Sequence, residues 1–152
     1  MHRKGRLVVF SLDGQCYALA LAAVEKVVRA VEATSLPGAP DIVLGIVNMQ
    51  GRVIPLVNVR RRFCLPEREM ALTDQIVIAH TARRPVALVV DAVTGVLEYP
   101  EREAVAARDI LPDVEYVEGV VKLKDGLILI HNLDKFLSLE EETSLDRALE
   151  VD

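Results

Sequence analysis

Leu36-Pro37-Gly38-Ala39-Pro40-Asp41-Ile42-Val43-Leu44-Gly45-Ile46-Val47-Asn48-Met49-Gln50-Gly51, then Val53-Ile54-Pro55-Leu56-Val57-Asn58-Val59, is a phrase the chain states twice. The second statement is Leu111-Pro112-Asp113-Val114-Glu115-Tyr116-Val117-Glu118-Gly119-Val120-Val121-Lys122-Leu123-Lys124-Asp125-Gly126, then Leu127-Ile128-Leu129-Ile130-His131-Asn132-Leu133. Leu36 and Leu111 are 75 residues apart, as are Gly51 and Gly126, and Gly45 and Gly119 are 74 apart. Each copy has a Leu-Pro entry, an apolar run opened by Gly, a Gly turn and a second apolar run ending near an Asn. Two copies predict two similar β modules, with function in their surfaces and in the groove between them.

The rest of the chain supports that pattern. Leu7–Leu12 and Cys16–Leu21 flank Asp13-Gly14, a pair that tolerates positive φ and marks a hairpin. Tyr17, Leu19 and Leu21 alternate with Cys16, Ala18 and Ala20, so one face of this strand is small, as a tightly curved sheet requires. A short turn is expected at Ala22–Glu25 and a strand at about Lys26–Val31. Arg52–Val59 is read as the strand returning from Gln50-Gly51. Pro55 inside it marks an edge, a bulge or a bend. Leu65–Thr73 is a charged connector and the expected boundary between modules. Gln75–His80 and Val86–Val93 are strands, and Leu97–Asp109 is expected to hold a turn and a helical segment. Ser138 and Glu141 form a capping box for a C-terminal helix carrying Leu145 and Leu149 on one face. The fold class is therefore mostly β: two small barrels and a short C-terminal helix.

Composition narrows the function. The chain has 152 residues, enough for one domain, and 51% are hydrophobic, mostly aliphatic, with three Phe, three Tyr and no Trp. A net charge of −5 argues against nucleic acid, since phosphate binding needs a basic surface. Arg60-Arg61-Arg62 is the one basic run beyond the N-terminus and reads as a solvated loop or a protein-facing patch. Cys16 and Cys64 show no metal spacing, and Cys16 reads as a small core residue. Leu7–Phe10 is too short for a leader or a membrane span, which points to a cytoplasmic chain.

Candidate chemistry is sparse. His2, His80 and His131 are scattered, and none of the four serines, Ser11, Ser35, Ser138 and Ser144, sits in a nucleophile turn. No catalytic, cofactor or metal set is expected. Asp91 ends an apolar strand and reads as a turn carboxylate; a ligand-binding or hydrolytic barrel using Asp91 and His80 between the modules is the competing interpretation. An enclosed pocket with a perturbed carboxylate favours the enzyme, and a shallow apolar groove favours a recognition module. Glu140-Glu141-Glu142 reads as a solvated first helical turn.

Gly45 to Arg60 resembles the signature of CheW-like chemotaxis coupling proteins, G-x-x-N-L-R-G-x-x-x-P-V-x-D-L-R. Phe10-Ser11-Leu12-Asp13-Gly14, Leu36-Pro37 with Pro40, and Val89-Val90-Asp91-Ala92-Val93 also match the family pattern in order, so the resemblance covers about residues 7–137. It implies one CheW-like domain over residues 1–152, with two SH3-like five-stranded barrels in pseudo-repeat. Subdomain 1 spans about 7–64 with the C-terminal helix packing nearby, and subdomain 2 spans about 74–137. It further implies a non-enzymatic adaptor without cofactor, working at membrane-associated receptor arrays. The implied partners are the regulatory domain of a CheA-type histidine kinase and the cytoplasmic tip of a methyl-accepting chemoreceptor.

Residue by residue, the resemblance implies partner contacts at Val24 and Val27, at Gly45 beside the receptor groove, at Asn48 and Gln50 of the motif turn, and at Leu145 of the helix. Core packing is the competing role for Val24, Val27 and Leu145, and a simple strand start for Gly45. The chain departs from the family at Gln50, usually Arg, and at Asn58, usually Asp. Either this adaptor serves a specialised pathway, or Arg52 or Arg60 supplies the missing guanidinium. If the usual Arg and Asp form a charge pair, the two changes are linked.

Overall fold

The computed structural model describes residues 4–100, 104–106, 117–123 and 126–150. β1 (Lys4–Leu12) and β2 (Gln15–Ala20) form the first hairpin, with Asp13 and Gly14 both at positive φ, 51° and 78°. A 3-10 turn, Leu21–Ala23, leads to β3 (Val24–Arg29). β4 (Val43–Met49) and β5 (Arg52–Val57) meet at Gln50-Gly51, again with both φ positive, 56° and 85°. α1 (Val59–Arg62) follows, then β6 (Gln75–His80), β7 (Pro85–Val90), β8 (Ala92–Pro100) and β9 (Ala104–Ala106). β10 (Val117–Leu123) and β11 (Gly126–His131) form the last hairpin. A 3-10 turn at Leu133–Lys135 then leads to α2 (Leu139–Glu150).

The two phrases build equivalent units. Each hairpin, β4–β5 and β10–β11, carries a register shift next to its opening Gly, at Val43/Gly45 and Val117/Gly119. Each second strand lies parallel to a strand of another hairpin, β5 beside β7 and β11 beside β2. Each ends in an Asn whose side chain caps a short helical turn: Asn58 Oδ1 accepts the Arg61 N–H at 3.1 Å, and Asn132 Oδ1 accepts the Asp134 N–H at 3.1 Å. Asn58 and Val59 are therefore not strand residues. The ladder from β5 to β7 begins at Leu56, directly after Pro55, so the proline precedes the two-sided part of its strand. The Leu111–Tyr116 entry and the Lys124-Asp125 turn lie outside the described residues.

The sheets do not follow the chain. One has the order β8-β1-β2-β11-β10-β9 and the other β3-β6-β7-β5-β4. The hairpin of the first repeat, β1–β2, thus sits among strands of the second, and β6–β7 sits among strands of the first. A sequential division at 65–73 does not describe this arrangement, because the two repeats exchange hairpins. The crossings between sheets are tight: three residues, Leu21–Ala23, and one residue, Asp91. The expected strand Val86–Val93 is accordingly broken at Asp91. The helical segment expected within Leu97–Asp109 is strand at 97–100 and 104–106, and its remainder lies outside the described residues.

Exchange follows from burial. β1, β2, β6 and β7 are covered on both faces, which is why they read as nearly unbroken apolar runs. Leu7, Val9 and Ala18 join Val121, Ile128 and Ile130 in the core of the first sheet. Ile76, Ile78 and Ala87 join Val47, Ile54 and Leu56 in that of the second. The opposite faces, with Phe10, Leu12, Tyr17 and Leu19 from one hairpin and Val77, Ala79, Val86 and Leu88 from the other, form a third core between the sheets. Ala18 is the small residue packed in the first of these cores. In the second sheet the chain after β3 bridges back to β4, with Thr34 and Ile46 exchanging backbone hydrogen bonds of 2.8 and 2.7 Å. α2 closes the inter-sheet core with Leu145, and its capping box is complete: Ser138 Oγ accepts the Glu141 N–H at 3.1 Å, and Glu141 Oε1 accepts the Ser138 N–H at 2.8 Å.

Candidate functional site

One end of the second sheet gathers several of the expected contact residues. Asn48 Oδ1 accepts the Gly51 N–H at 3.0 Å, fixing the β4–β5 turn, and leaves Gln50 exposed at its apex. Arg52, at the start of β5, pairs with Glu25 of β3, and His80 Nε2 lies 3.0 Å from the other Glu25 oxygen. The Arg52 hydrogen bond holds the Glu25 carboxyl below its usual range, against desolvation and with help from His80. Val27 on β3 is 36% exposed and Val53 on β5 is 50% exposed, whereas Val24 is half-buried against the inter-sheet core. Sequence spacing could not reveal the Glu25–Arg52–His80 group, whose members lie 27 and 55 residues from Glu25.

Two expected contacts face inward. Gly45 is buried, and a Cβ there would lie 2.5 Å from the Thr34 carbonyl oxygen. The close approach that excludes a side chain is made by the chain itself. Leu145 is fully buried in the inter-sheet core, where its side chain fastens the helix, which is the core-packing role.

Arg60 and Arg62 of the arginine run act as internal clamps, while Arg61 stays exposed. Arg60, with 10% of its side chain exposed, donates to Asp13 Oδ1 at 2.8 Å, to Asp91 at 2.8 and 3.1 Å and to the Pro66 carbonyl at 2.8 Å. Arg61 pairs with Glu67, and Arg62 grips both oxygens of Glu141 at 2.6 and 2.8 Å. Glu142 is buried beside Arg84, so the triple glutamate is largely paired rather than solvated. Arg68 binds Asp74 through two bonds of 2.8 Å and Asp91 at 2.7 Å. This ties the first hairpin turn, α1, the connector and the β7–β8 crossing together. Arg60 is thereby engaged within the chain, whereas Arg52, at the start of β5 beside the motif turn, has 44% of its side chain exposed.

The same network predicts acid sensitivity. The Arg68 bidentate bond, opposed by burial and helped by the Ala71 amide, holds the Asp74 carboxyl below its ordinary value. Burial pushes Asp91 up, but the Asp13 amide and the Arg60 and Arg68 guanidinium groups outweigh it and leave the carboxyl low. Depressed folded values mean stabilisation that is fully present above the unfolded carboxylate pKa, about 3.9, and lost as pH falls through the folded value. Urea midpoints are therefore expected to be flat from neutral pH down to about 5 and to fall below about 4. Asp74→Asn should lower the neutral-pH midpoint and flatten the fall.

Asn58 has its own local reason. Its Nδ2 donates to Glu67 Oε1 at 2.8 Å while its Oδ1 caps α1. An Asp here would keep the cap but set its carboxylate, at a position 8% exposed, against that of Glu67, whose side chain is 47% exposed. Gln50 and Asn58 lie beyond opposite ends of β5, so they form no pair and the two departures are independent. Asn58→Asp is expected to lower the urea midpoint at pH 7, and Asn58→Asp with Glu67→Gln should recover most of the loss.

Asp91 and His80, the pair on which the enzymatic interpretation rests, line separate cavities among the described residues. Asp91 is held ionised by two guanidinium groups, and it lines a cavity of about 30 Å³ with Arg60 and Arg68. His80 lines a separate cavity of about 180 Å³ with Leu19, His131 and Asp134. His131 is buried and stacked on Phe63 at 4.2 Å, with Tyr17 and Phe136 around it. Among the described residues no group of His, Cys, Asp and Glu is arranged to hold a metal, and no helix is long and apolar enough to cross a membrane.

A family profile described as the CheW-like domain matches residues 6–141. The chemotaxis protein CheW of Rhizobium meliloti (strain 1021) is 31% identical over 137 residues, 89% of this chain and 88% of that protein. The CheW of Bacillus subtilis (strain 168) is 27% identical over 141 residues, 91% and 90% of the two chains. The crystal structure of the scaffolding protein TtCheW from Thermoanaerobacter tengcongensis superimposes with a TM-score of 0.83 at 29% identity, covering 91% of this chain and 96% of that one. With a match that spans both sheets and the start of α2, the chain belongs to the CheW-like domain family.

Proposed function

We propose that this protein is a non-catalytic adaptor of chemotaxis or motility signalling, coupling chemoreceptors to a CheA-type histidine kinase. The observation that carries the proposal is the likeness to a CheW scaffolding protein over nine-tenths of both chains. The finer reading assigns the kinase's regulatory domain and the receptor's cytoplasmic tip as the two partners, engaged in the cytoplasm at receptor arrays. The exposed end of the second sheet supports a contact there: Val27 offers apolar surface, Gln50 an amide and Arg52 a charge, all on rigid strands or a tight turn.

Titration calorimetry against a kinase regulatory domain and, separately, a receptor hairpin tests this. Both should bind. Val27→Asp should weaken one partner by about tenfold or more and leave the other within about twofold. Binding to neither partner by the unsubstituted protein would refute the adaptor role.

A further inference from the structure

The exchange of hairpins between the repeats leaves β1–β2 in a slot formed by strands distant from it in sequence. β1–β2 contacts the first sheet through β8 on one flank and β11 on the other, and both flanks belong to residues 92–131. Its side chains enter two cores, Leu7, Val9 and Ala18 in one and Phe10, Leu12, Tyr17 and Leu19 in the other. Yet its covalent link to those strands through β3 is the 3-10 turn Leu21–Ala23, in which no residue is buried and no side chain caps the start. The hairpin is thus densely packed and thinly hinged. By contrast β6–β7 is fixed at both ends, by the Arg68–Asp74 pair before it and by Asp91 after it.

We propose that the slot between β8 and β11 also accepts residues 4–20 of a second copy of this chain, giving a reciprocally exchanged dimer. Every contact of the hairpin is remade in the dimer, including Asp13 with Arg60, the Asp13 amide with Asp91, and Arg6 with Glu98. Only the hinge differs, so the balance is set by concentration. A short tether gives the intramolecular hairpin an effective concentration of order millimolar, and the exchanged form competes when the protein reaches that range. The chain already makes this exchange between its own repeats, so the slot is built for a hairpin arriving from elsewhere in sequence.

The test uses the exposed register pair Arg6 and Glu98, whose side chains meet at 3.1 Å across β1 and β8. In a Cys16→Ala, Cys64→Ser background, one chain carries Arg6→Cys and a second carries Glu98→Cys. The two are unfolded together, refolded and oxidised. At about 1 mM the mixed 6–98 disulfide dimer should form at least tenfold more than at about 10 µM, with few 6–6 or 98–98 links. Monomers alone at both concentrations, or a statistical mixture of all three links, would overturn the proposal. Deleting Ala22 and Ala23 in the otherwise unsubstituted chain should block closure within one molecule and shift the folded protein to dimer at micromolar concentration by light scattering. A folded monomer of that deletion would overturn it equally.

Discussion

Gly45→Ala is expected to destabilise the protein by roughly 3 kcal/mol, and Gly45→Val by more. The added Cβ would sit 2.5 Å from the Thr34 oxygen and 3.1 Å from its carbonyl carbon. These are backbone atoms, and they cannot swing aside, because Thr34 O accepts the Ile46 N–H at 2.7 Å and Thr34 N donates to Ile46 O at 2.8 Å. Relief requires breaking the bridge that draws the chain after β3 onto β4. Gly51→Ala is the matched comparison. Gly51 has φ 85° but nothing near its Cβ, so the substitution should cost only about 1 kcal/mol, the ordinary penalty for a side chain in the left-handed region. Gly45 has a positive φ of its own, 158°, so in urea unfolding the excess of its loss over that at Gly51 measures the steric part. Equal losses would mean that the Thr34 approach is not what demands glycine at position 45.

Leu145→Ala should cost about 3–4 kcal/mol, near the middle of the range for a fully buried leucine. The side chain is 0% exposed and meets residues of both sheets in the inter-sheet core. The cavity it leaves cannot collapse easily, since the helix is pinned outside the core by Arg62 on Glu141 and by Arg84 on Glu142 and Asp146. Leu139, at 75% exposure in the first turn of the same helix, provides the control: Leu139→Ala should change the midpoint by less than about 0.5 kcal/mol. A small loss at Leu145 would show that α2 lies loosely on the sheets and contributes little to their association.

Much of this architecture is written locally and can be read there. Asp13-Gly14 and Gln50-Gly51 both adopt the doubly positive φ that two-residue hairpins need, and Ser138 with Glu141 caps α2 in both directions. The recurrence of Gly45 and Gly119 marks a bulge in each repeat. The hairpin exchange is not local. Runs such as Leu7–Phe10 and Ile76–Ala79 are apolar on both faces, so their periodicity carries no record of which strand lies beside them. The boundary at 65–73 looks like a linker from its charge, but Arg68 there is bonded to Asp74 and Asp91.

The local structure of the candidate site was legible at the motif turn, where Asn48 bonds the Gly51 amide and Gln50 is exposed. It was not legible where role depends on a distant neighbour. Gly45 is explained by Thr34, Arg60 by Asp13 and Asp91, Arg52 by Glu25, and Leu145 by a core assembled from both repeats. Asn58, taken for the end of a strand, is a helix cap whose amide answers to Glu67.

The adaptor role is most directly tested by asking whether this protein joins its two partners. Vesicles bearing a chemoreceptor are mixed with the regulatory domain of a CheA-type kinase and sedimented, with and without this chain. The account predicts that the kinase domain pellets with the vesicles only when the chain is present, and that Val27→Asp abolishes the recruitment while leaving the protein folded. Recruitment that is equal without the chain, or absent with it, would contradict the account.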